Sequence, residues 1–127
     1  MSTARFRPAD RVLLPRDYAR VRRHGRRLAS KNFALSLAPR DDQRITPRAA
    51  RGGHPSKTRL GMAVSRKVGN AVVRNRVKRA IREWFRHSRE AVAPETDLVV
   101  IARPGARHLD AQEIRAELGR LLSERGR

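Results

Sequence analysis

The segment from Asn70 to about Ser88 constrains the fold more than any other part of the chain, because its apolar and basic residues separate at helical spacing. On a projection of about 100° per residue, one stripe collects the apolar side chains: Val73, Val77, Ala80, Ile81, Trp84 and, at the margin, Phe85. The other side collects polar and basic side chains: Arg74, Asn75, Lys78, Arg79, Arg82 and Arg86, with Arg76 beside them. The pattern predicts a long helix that buries one face and presents a basic face outward.

The basic face of this helix is almost free of acids. Glu83 is the only acidic residue between positions 70 and 88, and its spacing predicts an ion pair with Arg79. A solvated helix face would mix both signs of charge, whereas a one-signed face is destabilised by repulsion unless a polyanion binds it. The pattern therefore favours contact with nucleic acid.

The composition of the whole chain points the same way. It has 127 residues, enough for one domain, with 31 Lys and Arg against 12 Asp and Glu, a net charge of +19. The first 60 residues carry +12 and the next 30 carry +7, whereas the last 37 are neutral. We therefore expect the partner to meet the first two thirds of the chain and the last third to act as scaffold.

Four further segments show the periodicity of helices or strands. The sequence predicts a short helix over about 15–24, a strand over 33–38 with one buried face, and a similar strand over 60–65. The apolar run 98–101 predicts a strand covered on both faces. Asp110, followed three residues later by Glu113, predicts the start of a last helix.

These elements predict an α+β fold, a two-layer α/β sandwich of order α-β-β-(β)-α-β-α in which the bracketed strand has no assigned residues. A single domain is expected over residues 1–127. Within it, we expect 1–10 to be a disordered tail and 39–58, rich in Pro and Gly, to be a basic flexible loop.

The run from Ala63 to Arg79, AVSRKVGNAVVRNRVKR, resembles the signature of the bacterial ribonuclease P protein subunit, whose hallmark is the RNR helix. The pairs Asp17-Tyr18 and His24-Gly25 are similar to that family's first helix, and the resemblance covers about residues 11–125. It implies a left-handed crossover through the long helix, against the usual right-handed rule. It also implies a role in removing the 5′ leader of precursor tRNA, in a 1:1 complex with ribonuclease P RNA.

The resemblance implies two RNA contacts. The catalytic RNA would bind Arg66, Lys67, Asn70, Arg74, Asn75, Arg76, Lys78, Arg79 and Arg82. The single-stranded leader would lie in a cleft lined by Tyr18, Arg22, Phe33 and Ser36. Because Arg22 and Ser36 stand where many relatives have aromatic residues, we expect this cleft to depend on phosphate contacts more than on base stacking.

No constellation in the sequence predicts catalytic or metal-binding groups on this chain. The four histidines are scattered, and the chain has no cysteine. We expect catalysis on the RNA subunit with Mg²⁺ in the holoenzyme, no cofactor held by the protein, no membrane partner, and a cytoplasmic location. A ribosomal-type RNA-binding protein or a DNA-binding basic-helix protein remains an alternative.

Overall fold

Strands and helices alternate along the chain in the order that the sequence predicts. The computed structural model describes residues 15–39, 58–88 and 96–124. Within them lie α1 (Pro15–His24), β1 (Arg26–Ala29), β2 (Phe33–Pro39), β3 (Arg59–Ala63), α2 (Ala71–Ser88), β4 (Thr96–Ala102), a 3-10 helix (Pro104–His108) and α3 (Ala111–Glu124). The mixed α+β fold is confirmed, and β1 is the strand to which the sequence assigned no residues.

The four strands form one sheet in the order β1-β2-β4-β3. β2 pairs antiparallel with both β1 and β4, whereas β3 pairs parallel with β4. The parallel neighbours β3 and β4 are joined through α2, so this is the crossover of the fold. Its left hand stays a prediction from the resemblance.

The main core lies between the sheet and the two long helices. Leu35 and Leu37 of β2, and Leu98 and Val100 of β4, belong to one buried cluster with Trp84 and other apolar residues of α2 and α3. The helix α2 buries the stripe that the sequence predicts: Val77, Ala80, Ile81, Trp84 and Phe85. Burial of this stripe leaves the basic side of α2 turned away from the core.

The other face of the sheet carries α1. Val21 of α1 packs with Ala38 of β2 and Val99 of β4 in a second, smaller cluster. The prediction that β2 has only one buried face is therefore wrong, since residues 33–38 are all buried. Its second face consists of the small residues Ala34, Ser36 and Ala38, which do not indicate a buried face in the sequence.

The start of α3 is the capping box that the sequence predicts. The backbone N–H of Glu113 donates to Asp110 Oδ1 at 2.8 Å, and the N–H of Asp110 donates back to Glu113 Oε1 at 3.0 Å. One turn further on, the buried Glu117 accepts hydrogen bonds from Ser30 and Asn32 in the β1–β2 turn. These bonds fasten the turn to the C-terminal scaffold.

The ends of the predicted 39–58 loop belong to the fold. Pro39 is the last residue of β2 and pairs with Thr96, and Thr58 is buried beside the start of β3. The rest of that loop and the predicted tail at 1–10 lie outside the described residues. No helix in the described parts of the chain is long and apolar enough to cross a membrane.

Candidate nucleic-acid interface

The turn that leads into α2 arranges the first part of the interface. Val68 is fully buried, and its N–H donates to the Ser65 carbonyl at 3.0 Å. These contacts anchor the turn before the helix, in which Arg66 and Lys67 are exposed. Asn70 Oδ1 accepts the N–H of Val73 at 3.0 Å and so caps the helix. The first turn of α2 contains no acidic residue, so its positive end favours an anion.

The residues predicted to bind the catalytic RNA lie together on the outer side of α2 and its leading turn. Six are exposed: Arg66, Lys67, Asn70, Asn75, Arg76 and Arg79. Three are half-buried: Arg74, Lys78 and Arg82. We call these nine residues the α2 basic surface. It offers guanidinium, ammonium and amide donors to phosphate, and the Asn75 amide to a base edge or ribose hydroxyl.

One arginine of the α2 basic surface also has a structural contact. Arg76 Nη2 donates a hydrogen bond to the Arg107 carbonyl at 2.6 Å, which ties α2 to the 3-10 helix. The predicted ion pair between Glu83 and Arg79 is wrong. Glu83 instead lies 3.2 Å from Arg86 and 3.9 Å from His87, so it leaves Arg79 to the outer surface.

The predicted cleft corresponds to the side of the sheet that carries α1. A Cβ built at Gly61 would lie 2.9 Å from Tyr18 Cε1, so the Tyr18 ring lies directly over β3 at this glycine. Ser36 is in register with Val99, and Val99 with Gly61. Arg22, exposed one turn after Tyr18, completes the helix side of the cleft.

Phe33 does not belong to this cleft. Its side chain is fully buried in the main core, on the face of the sheet opposite α1. Alternation along β2 places Phe33 on the same face as Leu35 and Leu37, and the structure shows that this face belongs to the main core. The assignment of Phe33 to the cleft is therefore corrected, whereas Tyr18, Arg22 and Ser36 lie on the α1 side.

A buried ion network holds α1 on the sheet, and sequence reasoning missed it. Asp97 of β4 is fully buried and accepts two hydrogen bonds from Arg59 of β3, from Nε and Nη2, at 2.7 Å each. Arg20 of α1 binds the same carboxylate and also donates to the Pro39 carbonyl at 2.5 Å. Asp17 of α1 lies 3.7 Å from Arg59. The available signal was a carboxylate directly before the apolar run of β4.

The carboxylates of this network raise the pKa of Arg59. Burial by itself would lower the pKa of Arg59, but its hydrogen bond to Asp97 and the charges of Asp97 and Asp17 outweigh burial and raise that pKa above its ordinary value. Arg59 therefore keeps its positive charge and, with it, the contacts that join β3 to β4 and to α1.

Comparisons with known proteins agree with this geometry. The sequence matches the family described as Ribonuclease P over residues 6–125. The ribonuclease P protein component of Syntrophobacter fumaroxidans is 40% identical over 91% of this chain and 87% of its own length. That of Desulfovibrio desulfuricans is 41% identical over 92% and 89%.

Solved structures give the same result for the fold. The RNase P protein of Staphylococcus aureus superimposes with a TM-score of 0.73 at 30% identity, covering 90% of this chain and 93% of that one. The RNase P protein of Thermotoga maritima gives 0.70 at 29% identity, covering 90% and 96%.

Proposed function

The chain belongs to the ribonuclease P protein family and is a protein component of that ribonuclease complex, and on that premise we propose how it engages RNA. The α2 basic surface binds ribonuclease P RNA, with one protein per RNA. The cleft between α1 and the sheet binds the single-stranded 5′ leader of precursor tRNA. The protein thereby assists removal of the leader, which generates the mature 5′ end.

The observation that carries the RNA contact is the separation of charge from core on α2. One side of the helix supplies five buried residues, and the other side, with the capped first turn, carries the basic residues. A folded RNA presents phosphates at many points, so such a surface gains by counterion release at each contact. This argument supports RNA binding by α2 independently of the family relationship.

Support for the leader contact comes from two residues on the cleft side of α1. Tyr18 is half-buried with its ring over Gly61, and the part of the ring that stays accessible can stack on an unpaired base. Arg22 is exposed and can bind a phosphate one turn away. Ser36 is almost completely buried, so it contributes depth to the cleft more than a direct contact.

Catalysis belongs to the RNA subunit in this proposal. In the described parts of the chain, no group of three or more His, Cys, Asp or Glu side chains could hold a metal ion. We propose that the Mg²⁺ expected for the holoenzyme is held by the RNA. The cytoplasm remains the expected compartment.

A comparison of three nucleic acids tests the proposal against its rivals. Binding of the protein to ribonuclease P RNA, to a ribosomal RNA fragment and to duplex DNA would be measured at one salt concentration. We expect the tightest binding to ribonuclease P RNA, and the assembled complex should bind precursor tRNA more tightly than mature tRNA. Equal affinity for the ribosomal fragment would contradict the assignment of the α2 basic surface to ribonuclease P RNA. No preference for precursor tRNA would contradict the leader contact. A DNA-binding helix-turn-helix is disfavoured because the strand β3, not a helix, precedes α2.

A further inference from the structure

A row of paired residues crosses the whole sheet on the α1 side. Arg27 of β1 is in register with Ser36 of β2, Ser36 with Val99 of β4, and Val99 with Gly61 of β3. Residues that are directly opposite on paired strands point to the same face. The row therefore begins beneath the Tyr18 ring at β3 and ends at Arg27 on the edge strand β1.

The path of α1 follows the same direction. Tyr18 lies on β3, Val21 packs on β2 and β4, and a Cβ built at Gly25 would lie 2.7 Å from the Leu37 carbonyl of β2, next to β1. The helix thus crosses the strands and covers the row, whose Ser36, Val99 and Gly61 are buried. The cleft beside it runs from the β3 edge to the β1 edge over the next row on the same face, which pairs Ala63, Ile101, Ala34 and Ala29. Three spacings of about 4.8 Å make this floor about 14 Å wide.

Both ends of the cleft are positive. At the β3 end, the chain continues directly into Arg66 and Lys67 of the α2 basic surface. At the β1 end stand two exposed arginines, Arg22 and Arg27, in a stretch from 19 to 38 that contains no Asp or Glu. The carboxylate of Glu117, beneath the turn that follows β1, is already engaged by hydrogen bonds from that turn.

We propose that Arg27, together with Arg22, forms a phosphate-binding exit at the β1 edge for leader nucleotides that have already crossed the sheet. The proposal rests on the proposed function, since it needs a leader in the cleft. A floor about 14 Å wide accommodates about four nucleotides if they stay stacked at about 3.4 Å each. A shorter leader ends over the sheet, whereas a longer one places phosphates beside Arg27, where a planar guanidinium can bind them with two donors.

Leader length is the variable that tests the exit. Affinity would be measured in the assembled ribonuclease P complex for mature tRNA and for precursors with leaders of about two and about eight nucleotides. Arg27→Gln should weaken binding of the long leader by about fivefold and change the other two by less than about twofold. The salt dependence of long-leader binding should also fall by about 0.7 in the log–log slope, the amount for one phosphate of a single strand. Arg115→Gln, at an exposed position of α3, is the matched loss of one positive charge and should leave all three affinities unchanged.

Each other result has a defined meaning. Unchanged long-leader binding in Arg27→Gln would overturn the exit, and so would equal weakening for all three substrates, which would place Arg27 on the tRNA body or the catalytic RNA. If the unsubstituted complex prefers the short leader over mature tRNA but gains nothing from the long leader, only the exit fails. If it prefers neither leader over mature tRNA, the leader contact of the proposed function fails as well. An unchanged near-ultraviolet signal from Trp84 would show that Arg27→Gln keeps the fold.

Discussion

Asp97 and Arg59 form a two-point ion pair between the neighbouring strands β4 and β3, with both hydrogen bonds at 2.7 Å. Arg20 adds α1 to the same carboxylate, and the carboxylate is inaccessible to solvent. Among the described residues, the apolar cluster under α1 has three buried members, with Tyr18 and Ile101 packed against them. The ion contacts of Asp97 join α1 to both β3 and β4, so they help to fix the shape of the cleft.

Loss of the Asp97 charge should destabilise the protein strongly. Asp97→Asn leaves two guanidinium groups near a buried site without their counter-charge, so the free energy of unfolding should fall by about 3 kcal/mol. Chemical denaturation followed by Trp84 fluorescence measures this. Asp110→Asn is the control, because Asn caps a helix about as well as Asp and that side chain is exposed. Similar small losses in both variants would contradict a structural role for the network.

Glu117 predicts how stability responds to acid. Burial would raise its pKa, but hydrogen bonds from Ser30 and Asn32, with the charge of Arg120, outweigh burial and hold the pKa below 4.5, its ordinary value. A carboxyl with a lowered folded pKa stabilises the fold above its unfolded pKa and loses that contribution as pH falls through the folded pKa. Glu117→Gln should therefore be less stable than the unsubstituted protein near pH 7, and the difference should shrink below about pH 4.5. A difference that stays constant down to pH 3 would show that packing, not charge, makes this contact.

Periodicity was sufficient to predict most elements of the fold. The amphipathic stripe of α2 and the apolar run of β4 are local patterns. Each indicates its element and its buried face from consecutive residues alone. The strand β1 was not assigned because its residues, Arg26 to Ala29, have no apolar alternation. An edge strand of this kind is stabilised by pairing with β2, which no local pattern reveals.

The cleft shows where sequence reasoning fails. Whether Phe33 or Ser36 faces α1 depends on which side of β2 the helix crosses, and alternation alone fixes only that they face opposite ways. The pairing of Asp97 with Arg20 and Arg59 depends in addition on strand order and register. Residues 38 and 77 positions apart meet at this carboxylate, a proximity that spacing cannot predict.

A methyl group at Gly61 should disturb the leader contact selectively. Gly61→Ala places a Cβ 2.9 Å from the Tyr18 ring, so the ring must shift. The shift costs little stability because the ring is the far end of a flexible side chain. We expect the preference for precursor over mature tRNA to fall by about threefold, since base–aromatic stacking contributes about 1–3 kcal/mol and only part of it is lost. Affinity for ribonuclease P RNA should stay unchanged. Gly119→Ala, where a Cβ meets open space on α3, is the matched control.

Alanine variants of Arg76 and Arg79 should distinguish an arginine that also stabilises the fold from one that acts only through its charge. Alanine at either position should weaken binding to ribonuclease P RNA and reduce its salt dependence, because both side chains are exposed on the α2 basic surface. Only Arg76→Ala should also lower the free energy of unfolding, by about 1 kcal/mol, because it removes the hydrogen bond to the Arg107 carbonyl. Equal stability of the two variants would mean that this bond contributes nothing in solution. Unchanged RNA affinity in both would contradict the assignment of the surface.

The last prediction concerns the magnesium dependence of cleavage. Hydrolysis of a phosphodiester needs an activated water and stabilisation of the leaving oxygen, both of which metal ions held by folded RNA can supply. The α2 basic surface can instead screen repulsion between RNA strands, and divalent ions screen the same charge. The protein alone should therefore not cleave precursor tRNA, but it should accelerate cleavage by ribonuclease P RNA at low Mg²⁺, and this acceleration should diminish as Mg²⁺ rises. Arg79→Ala should require more Mg²⁺ than the unsubstituted protein to reach the same rate, whereas Arg115→Gln should not. Cleavage by repurified protein without RNA, absent from a mock preparation, would contradict the placement of catalysis on the RNA, and an acceleration independent of Mg²⁺ would contradict the screening role.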